Sequence, residues 1–491
     1  MSRTGRDDVD VLVVGARLAG CAVAAPLARA GRRVLVLDRM AFPSDQLSTH
    51  VLMPAGTSEL AQLGALRGIL ALNPSRVRSV QVEVDGVGCC ERVRPAPDGI
   101  DFGVCVPRDL QDAELVLAAR AAGAEVRERC TVQELVTRSG RVVGARYRDA
   151  QGAEHEVRST LVIGADGRRS SVAALAGVWR PYRVSRNGRG LVFRYLQDPQ
   201  PDGPLATTYC QWRDGTSIAF AFPCTPAGKL LALVMGHRDE ASAARRDPEG
   251  YWDTKLAEHP GLRARLQGAE PGSKLRSTGE TPAFFRASSG PGWALAGDAG
   301  HFKDPVTGQG MRDAMFAGRT LAEAVLPALD DPAAVDLATR VWEQERDREC
   351  LPAYHFSNID TRVERQSPIL RELVRESSRS GEPDLSDLFG RARTPQEIVP
   401  PTRAARATLA ALVRGGSPRR EMLTRVLAEG RRELAVVREL RAARFRSTTM
   451  VAGSDHPGAS WPEAPLAPSD APEAPSTADG DRPAPVEQVS A

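Results

Sequence analysis

Short apolar runs, each closed by a glycine and an acid, recur at wide intervals along this chain, and helical stretches separate them. Residues 10–14 read as a buried strand, followed by the turn Gly15-Ala16-Arg17-Leu18-Ala19-Gly20 and an Ala-rich helix to Ala30. Gly31 reverses the chain, and residues 34–37 form a second strand ending at Asp38. Residues 161–164 repeat the pattern before Asp166-Gly167, and residues 294–296 repeat it around Gly297-Asp298. A helix is predicted from Arg108 to near Ala122, with a strand from Ala124. Strands apolar on both faces and alternating with helices predict an α/β fold built on a mostly parallel sheet.

The pattern changes between these pieces. Residues 75–107 and 189–237 alternate apolar and polar positions with turn signals between them, as antiparallel strands do. Tyr209, Trp212, Phe220 and Phe222 in this stretch are candidates to line a hydrophobic cavity, although an aromatic in a strand more often belongs to the core. From residue 352 to 450 the spacing is helical, with Leu370, Leu373 and Val374, then Leu409, Leu412 and Val413, then the Arg-, Glu- and Leu-rich residues 419–446. This region is expected to pack on the α/β domain, to close the cavity from one side, or to form a dimer face. Residues 451–491, rich in Pro, Ala, Ser, Asp and Glu, are expected to be a disordered tail.

Composition narrows the classes. A chain of 491 residues buries a substantial core and predicts two or three domains. The net charge is only +3, and the arginines are spread along the chain, which argues against a nucleic-acid partner. Eight cysteines without a CxxC pair support neither a disulfide framework nor a zinc site, so no metal is expected and buried free thiols are the default. Neither a signal-peptide core nor an apolar run of about 18 residues is present, so a cytoplasmic protein with no membrane span is expected.

The turns carry the chemistry. Gly15 suits a tight turn and Gly20 a close helix–strand approach, while Asp38, followed by Arg39, is placed to hold a ribose hydroxyl. Arg17 occupies the position of the usual middle glycine, so either the backbone stands further from a pyrophosphate or the guanidinium contacts it. Asp298 could accept from a polyol such as a ribityl chain. Pro305 stops the loop, Gly308 and Gly310 let main chain approach a flat ligand, and Gln309, Gly310 and Met311 open a helix whose N–H groups face an electron-rich group. Together these read as a flavin seat.

The first turn with Asp38, then Arg108, Asp166-Gly167 and Gly297-Asp298, in that order, resemble the para-hydroxybenzoate hydroxylase superfamily of FAD enzymes over about residues 8–330. The segment Phe42-Pro43-Ser44-Asp45-Gln46-Leu47-Ser48-Thr49-His50 looks like the branch that contains geranylgeranyl reductases and flavin halogenases. The resemblance implies an FAD-binding Rossmann-like domain (1–74, 108–180, 275–350), an inserted antiparallel substrate sheet (75–107, 181–274) and a C-terminal helical region (351–450). By the same resemblance Arg108 contacts FAD near its phosphates or ribityl chain, and Asp166 and Gly167 sit near the approach of NAD(P)H. His50 and His301 are the titratable candidates, His50 to orient or gate substrate and His301 to support its loop. Lys303 shares that loop, but the tryptophan-rich signature of the halogenases is absent.

The expected activity is NAD(P)H- and O2-dependent monooxygenation of a sizeable, largely apolar or aromatic small molecule, such as a secondary metabolite, through a flavin C4a-hydroperoxide. A reductase of the geranylgeranyl type that saturates C=C bonds, and a non-catalytic flavin-binding protein, are the alternatives. Monomer and homodimer both stay open.

Overall fold

The computed structural model describes residues 7–48, 50–270, 272–414 and 419–441. Its organising element is an eight-stranded sheet. Asp7–Val14 lies at the centre, parallel to Val34–Leu37 on one side and to Glu154–Gly164 on the other. Glu125–Arg127 extends the first side, and Trp293–Leu295 the second, both in parallel. The central strands are apolar on both faces because both are covered, one by the helices Leu18–Arg29, Arg108–Ala121 and Gly310–Val325, the other by the strands Thr131–Arg138 and Arg141–Arg148 with the short helix Ser171–Leu175. The parallel strands thus end on the same edge, and their closing turns share it.

One helix pair fixes how those turns meet. Leu18–Arg29, which follows the Gly15 turn, packs on Gly310–Val325, which follows the Gly308 turn. The approach is close because the contact is made of small residues: a Cβ on Gly318 would stand 2.4 Å from the Ala19 carbonyl oxygen. A side chain there would force the helices apart and, with them, the two turns.

A seven-stranded sheet forms the second layer, in the order Arg276–Thr278, Leu191–Gln197, Lys229–Met235, Ser217–Cys224, Thr208–Asp214, Ser79–Val84 and Val87–Arg92. All pairs are antiparallel except Thr208–Asp214 with Ser79–Val84, which run parallel. Three expected boundaries shift. Arg276–Thr278 pairs with Leu191–Gln197, so the substrate sheet extends past residue 275. Gly103–Cys105 and Arg76–Val77 leave that sheet and join Val51–Leu52 in a small three-stranded sheet, because the segment after residue 50 supplies an edge to pair with. The helix Pro332–Asp360 runs through the expected boundary at 350 without a break.

The C-terminal helices only partly follow expectation. Pro368–Ser380 packs through Val374 on the second layer, whereas Leu409 and Val413 point outward. Residues 451–491, expected to be disordered, lie outside the described residues. All eight cysteines are free, and seven are buried; Cys90 is exposed. Among the described residues no helix is long and apolar enough to cross a membrane, and no cluster of potential metal ligands occurs.

Candidate functional site

The turns converge around the start of the helix Leu18–Arg29. Gly15 has φ +103°, and a Cβ there would lie 2.5 Å from the Ala165 carbonyl oxygen, so the first turn presses on the one that carries Asp166. Gly297 touches the same helix: its Cβ would lie 2.7 Å from that of Ala19. Leu18 and Ala19 are buried in this junction, and Gly20 stands against the Gly15 carbonyl.

Asp38 accepts from the Ala16 N–H at 2.7 Å and from the Met40 N–H at 2.8 Å. Its carboxylate is therefore fixed against the first turn, and each oxygen keeps a second lone pair for a ligand hydroxyl. Arg39 beside it is exposed. Asp166 holds the N-terminus of Ser171–Leu175, accepting from Ser171 N and Oγ at 2.7 Å each, while its other oxygen is buried without a partner. Gly167 next to it has φ +80°.

Arg17 has partners within the chain. Its guanidinium donates to the Ser44 carbonyl and hydroxyl and to Asp112, and lies 5.5 Å from the centre of the Phe42 ring. It clamps the loop that follows Asp38 onto the helix Arg108–Ala121. Arg108 also donates two hydrogen bonds to Asp112, both at 2.9 Å. Asp112 is thus a site residue that the motifs pass over. A signal for it exists, since Arg108 and Asp112 stand four apart on one helix face.

Asp298 lines a small cavity together with His301, Lys303, Gly310 and Arg346. Burial pushes its carboxyl up to about 6, against the pull of the Arg168 and Arg108 guanidiniums. Pro305–Thr307 forms a 3₁₀ turn capped by Asp304, Gly308 closes it at φ +66°, and the helix opens at Gly310. Lys303 is buried behind this turn, where it pairs with Asp313 and donates to Gln309 Oε1 at 3.2 Å. Desolvation lowers its ammonium to about 8. Gln309 in turn donates to the Leu388 carbonyl at 2.7 Å, which ties the turn to the C-terminal region. Met311 is buried and receives a weak contact from Gln111.

The two histidines separate. His301 pairs in a short strand with Phe285, its ring 4.3 Å from the Phe285 ring centre, and burial keeps it neutral. His50 sits on the other side of the turn, buried, in a left-handed conformation with φ 59°. Its Nε2 is hydrogen-bonded to the Tyr195 hydroxyl, its ring lies edge-on to Phe193, and its Nδ1 is without a partner. Burial, and secondarily the charge of Arg108, lowers its pKa to about 3, so it is a neutral hydrogen-bonding group near pH 7. Sequence does not single out Tyr195, because alternation alone does not say which strand residue meets a distant loop.

Of the four aromatic candidates, three share a face. Tyr209, Phe220 and Phe222 join Val51, Met53, Val306 and Phe389 in one apolar cluster, and the Tyr209 and Phe222 rings stack at 5.4 Å. Trp212 does not belong with them. It stands on the opposite face, against Trp252, Leu262 and Leu266, because strand side chains alternate and position 212 is out of phase with 209.

Residues 8–346 match the family model described as FAD binding domain. The chain belongs to that family. Among curated relatives it is 28% identical over 331 residues to menaquinone reductase of Mycolicibacterium smegmatis, covering 64% of this chain and 75% of the relative. It is 27% identical over 352 residues to digeranylgeranylglycerophospholipid reductase of Methanosarcina acetivorans, covering 66% and 76%. The flavin-dependent brominase Bmp2 has the same fold, with a TM-score of 0.65 at 19% identity over 82% of this chain and 98% of the brominase. The chain is therefore a flavin-dependent oxidoreductase. The residues present fit FAD: a glycine turn with no room for a Cβ, a fixed carboxylate beside it, and a carboxyl lining a cavity at the mouth of a helix.

Proposed function

We propose that the protein is an FAD-dependent monooxygenase that uses NAD(P)H and O2 to oxidise a largely apolar or aromatic small molecule. The observation that carries this reading is the single apolar cluster joining Val306, in the turn after Asp298, to Tyr209, Phe220, Phe222 and Phe389. Apolar packing against that turn would exclude water from its side of a bound ring, and oxygen chemistry depends on that exclusion to avoid losing the oxidant as peroxide. Bound FAD would supply the two-electron redox chemistry. Asp38 would hold a ribose hydroxyl and Asp298 the ribityl chain, while the N–H groups at Gly310 and Met311 would stabilise negative charge on the ring. His50, neutral and with Nδ1 unengaged, would meet a polar atom of the substrate, Tyr195 fixing its ring. His301 would support the loop.

The two curated relatives, both reductases, favour a second reading, in which the same site delivers reducing equivalents to a C=C bond. Anaerobic turnover separates the two. With a substrate panel and reduced FAD, a monooxygenase stops without oxygen, and product formation that continues anaerobically would overturn the first reading. NAD(P)H consumption that never responds to any substrate, in a protein that binds no FAD, would overturn both.

A further inference from the structure

The helices Pro401–Arg414 and Arg419–Leu440 are oriented against the usual rule. Leu409 and Val413 are 63% and 78% exposed, while the smaller Ala407 and Ala411 of the same helix are buried. In the second helix Leu423, Leu427 and Leu434 are 49%, 60% and 57% exposed. At about 100° per residue these three fall within roughly 40° of arc, a single stripe along the helix. Large apolar side chains turned outward over buried alanines form a face that burial by a partner would stabilise.

Charge indicates which partner. The two helices carry nine arginines against four glutamates, whereas the whole chain has a net charge of only +3. Arg431 and Arg438 are exposed, and by helical geometry they run along one edge of the leucine stripe. Arg403, Arg406, Arg414 and Arg432 are paired with Asp384, Glu376, Glu372 and Glu364, which anchor the helices to the body of the protein. Arg431 and Arg438, which none of those ion pairs neutralises, favour an anionic partner over a second copy of the same stripe. A nucleic acid offers no place for a stripe of leucines. An anionic lipid surface takes both parts, with leucines in the acyl boundary and arginines at the headgroups.

We propose that these two helices form a peripheral docking surface for an anionic lipid bilayer. None of the residues of these helices lines the cavity at Asp298, and the proposal does not rest on the reaction assigned there.

The test is co-flotation of the full-length, FAD-loaded protein with vesicles of phosphatidylglycerol and phosphatidylcholine, or of phosphatidylcholine alone, at about 0.1 M salt. The protein is expected to float with the anionic vesicles and to remain largely free with the neutral ones. Leu423→Gln combined with Leu427→Gln, and separately Leu409→Gln combined with Val413→Gln, should each lower binding about tenfold or more without changing the melting temperature or flavin content. No flotation with anionic vesicles overturns the proposal, as does binding that neither pair of substitutions alters. A dimer that these substitutions dissociate, with no lipid binding, identifies a second copy as the occupant and overturns it. Binding that appears only after removal of the acidic residues 451–491 makes that segment the native occupant, and overturns it equally.

Discussion

The two faces of the seven-stranded sheet are both apolar, but they meet different parts of the molecule. On one face Trp212, Leu230 and Ala232 meet Trp252, Leu262 and Leu266 of two short helices, which close a core. On the other, Tyr209, Phe220 and Phe222 meet Val306 of the Pro305–Thr307 turn and Phe389 of the C-terminal region. The strands already differ in content, with Phe193, Tyr209, Phe220 and Phe222 on this face and Ala219, Ala221 and Ala232 on the other. Each face also meets a different part of the molecule, so an aromatic residue gains a place beside the Pro305–Thr307 turn from its phase along the strand.

Substitutions on the two faces should sharpen that contrast. Trp212→Ala and Phe222→Ala each remove a fully packed ring, and each is expected to cost about 3–5 kcal/mol of stability in denaturant unfolding. Only Phe222→Leu, which keeps an apolar side chain of smaller volume, should alter the apparent affinity for an apolar substrate, whereas Trp212→Phe should leave it unchanged. An equal change in KM from both would erase the distinction between the faces.

The next largest effect concerns the polar wall opposite. Asp298→Ala should weaken FAD binding about 10- to 100-fold, the worth of one charge-assisted hydrogen bond, read by titrating apoprotein with FAD and following flavin fluorescence. Unchanged affinity would remove Asp298 from the seat. A smaller loss is expected from Arg17→Gly. Asp112 would keep Arg108 but lose its second guanidinium, and the loop at Ser44 would lose its clamp, for a cost of about 1–2 kcal/mol in stability. Gain of FAD affinity without loss of stability would mean that Arg17 only obstructs.

The smallest effect is one of pH. The Asp298 carboxyl is raised to about 6, so its acceptor form is complete above that pH and is lost as pH falls through it. FAD retention should therefore weaken over a window centred near pH 6 and hold steady above pH 7. Asp298→Asn should abolish this step, and persistence of the step in that variant would assign it to another group.

Much of this arrangement is legible in the amino-acid sequence alone. The strand-end turns, their order and the identities of Asp38, Asp166 and Asp298 depend on local pattern, and glycine at a forced turn leaves a mark in sequence. What escapes depends on contacts between distant segments. Tyr195 meets His50 across 145 positions, Arg17 meets Asp112 across 95, and Gln309 meets Leu388 across 79. The phase of Trp212 is a different case, because period-two counting from Tyr209 places it on the far face without any knowledge of tertiary contacts. The outward leucines of the C-terminal helices have the spacing of a core stripe, and sequence periodicity does not say on which side the protein lies.

The bond from Gln309 to the Leu388 carbonyl bears on biosynthesis. The turn proposed to face the flavin is braced by a segment translated 79 residues later, so a nascent chain that has emerged only through the FAD-binding domain presents that turn unbraced. Cofactor loading is accordingly expected late, after most of the polypeptide has been made, and fragments ending before Leu388 should retain FAD poorly even where their parallel sheet is complete.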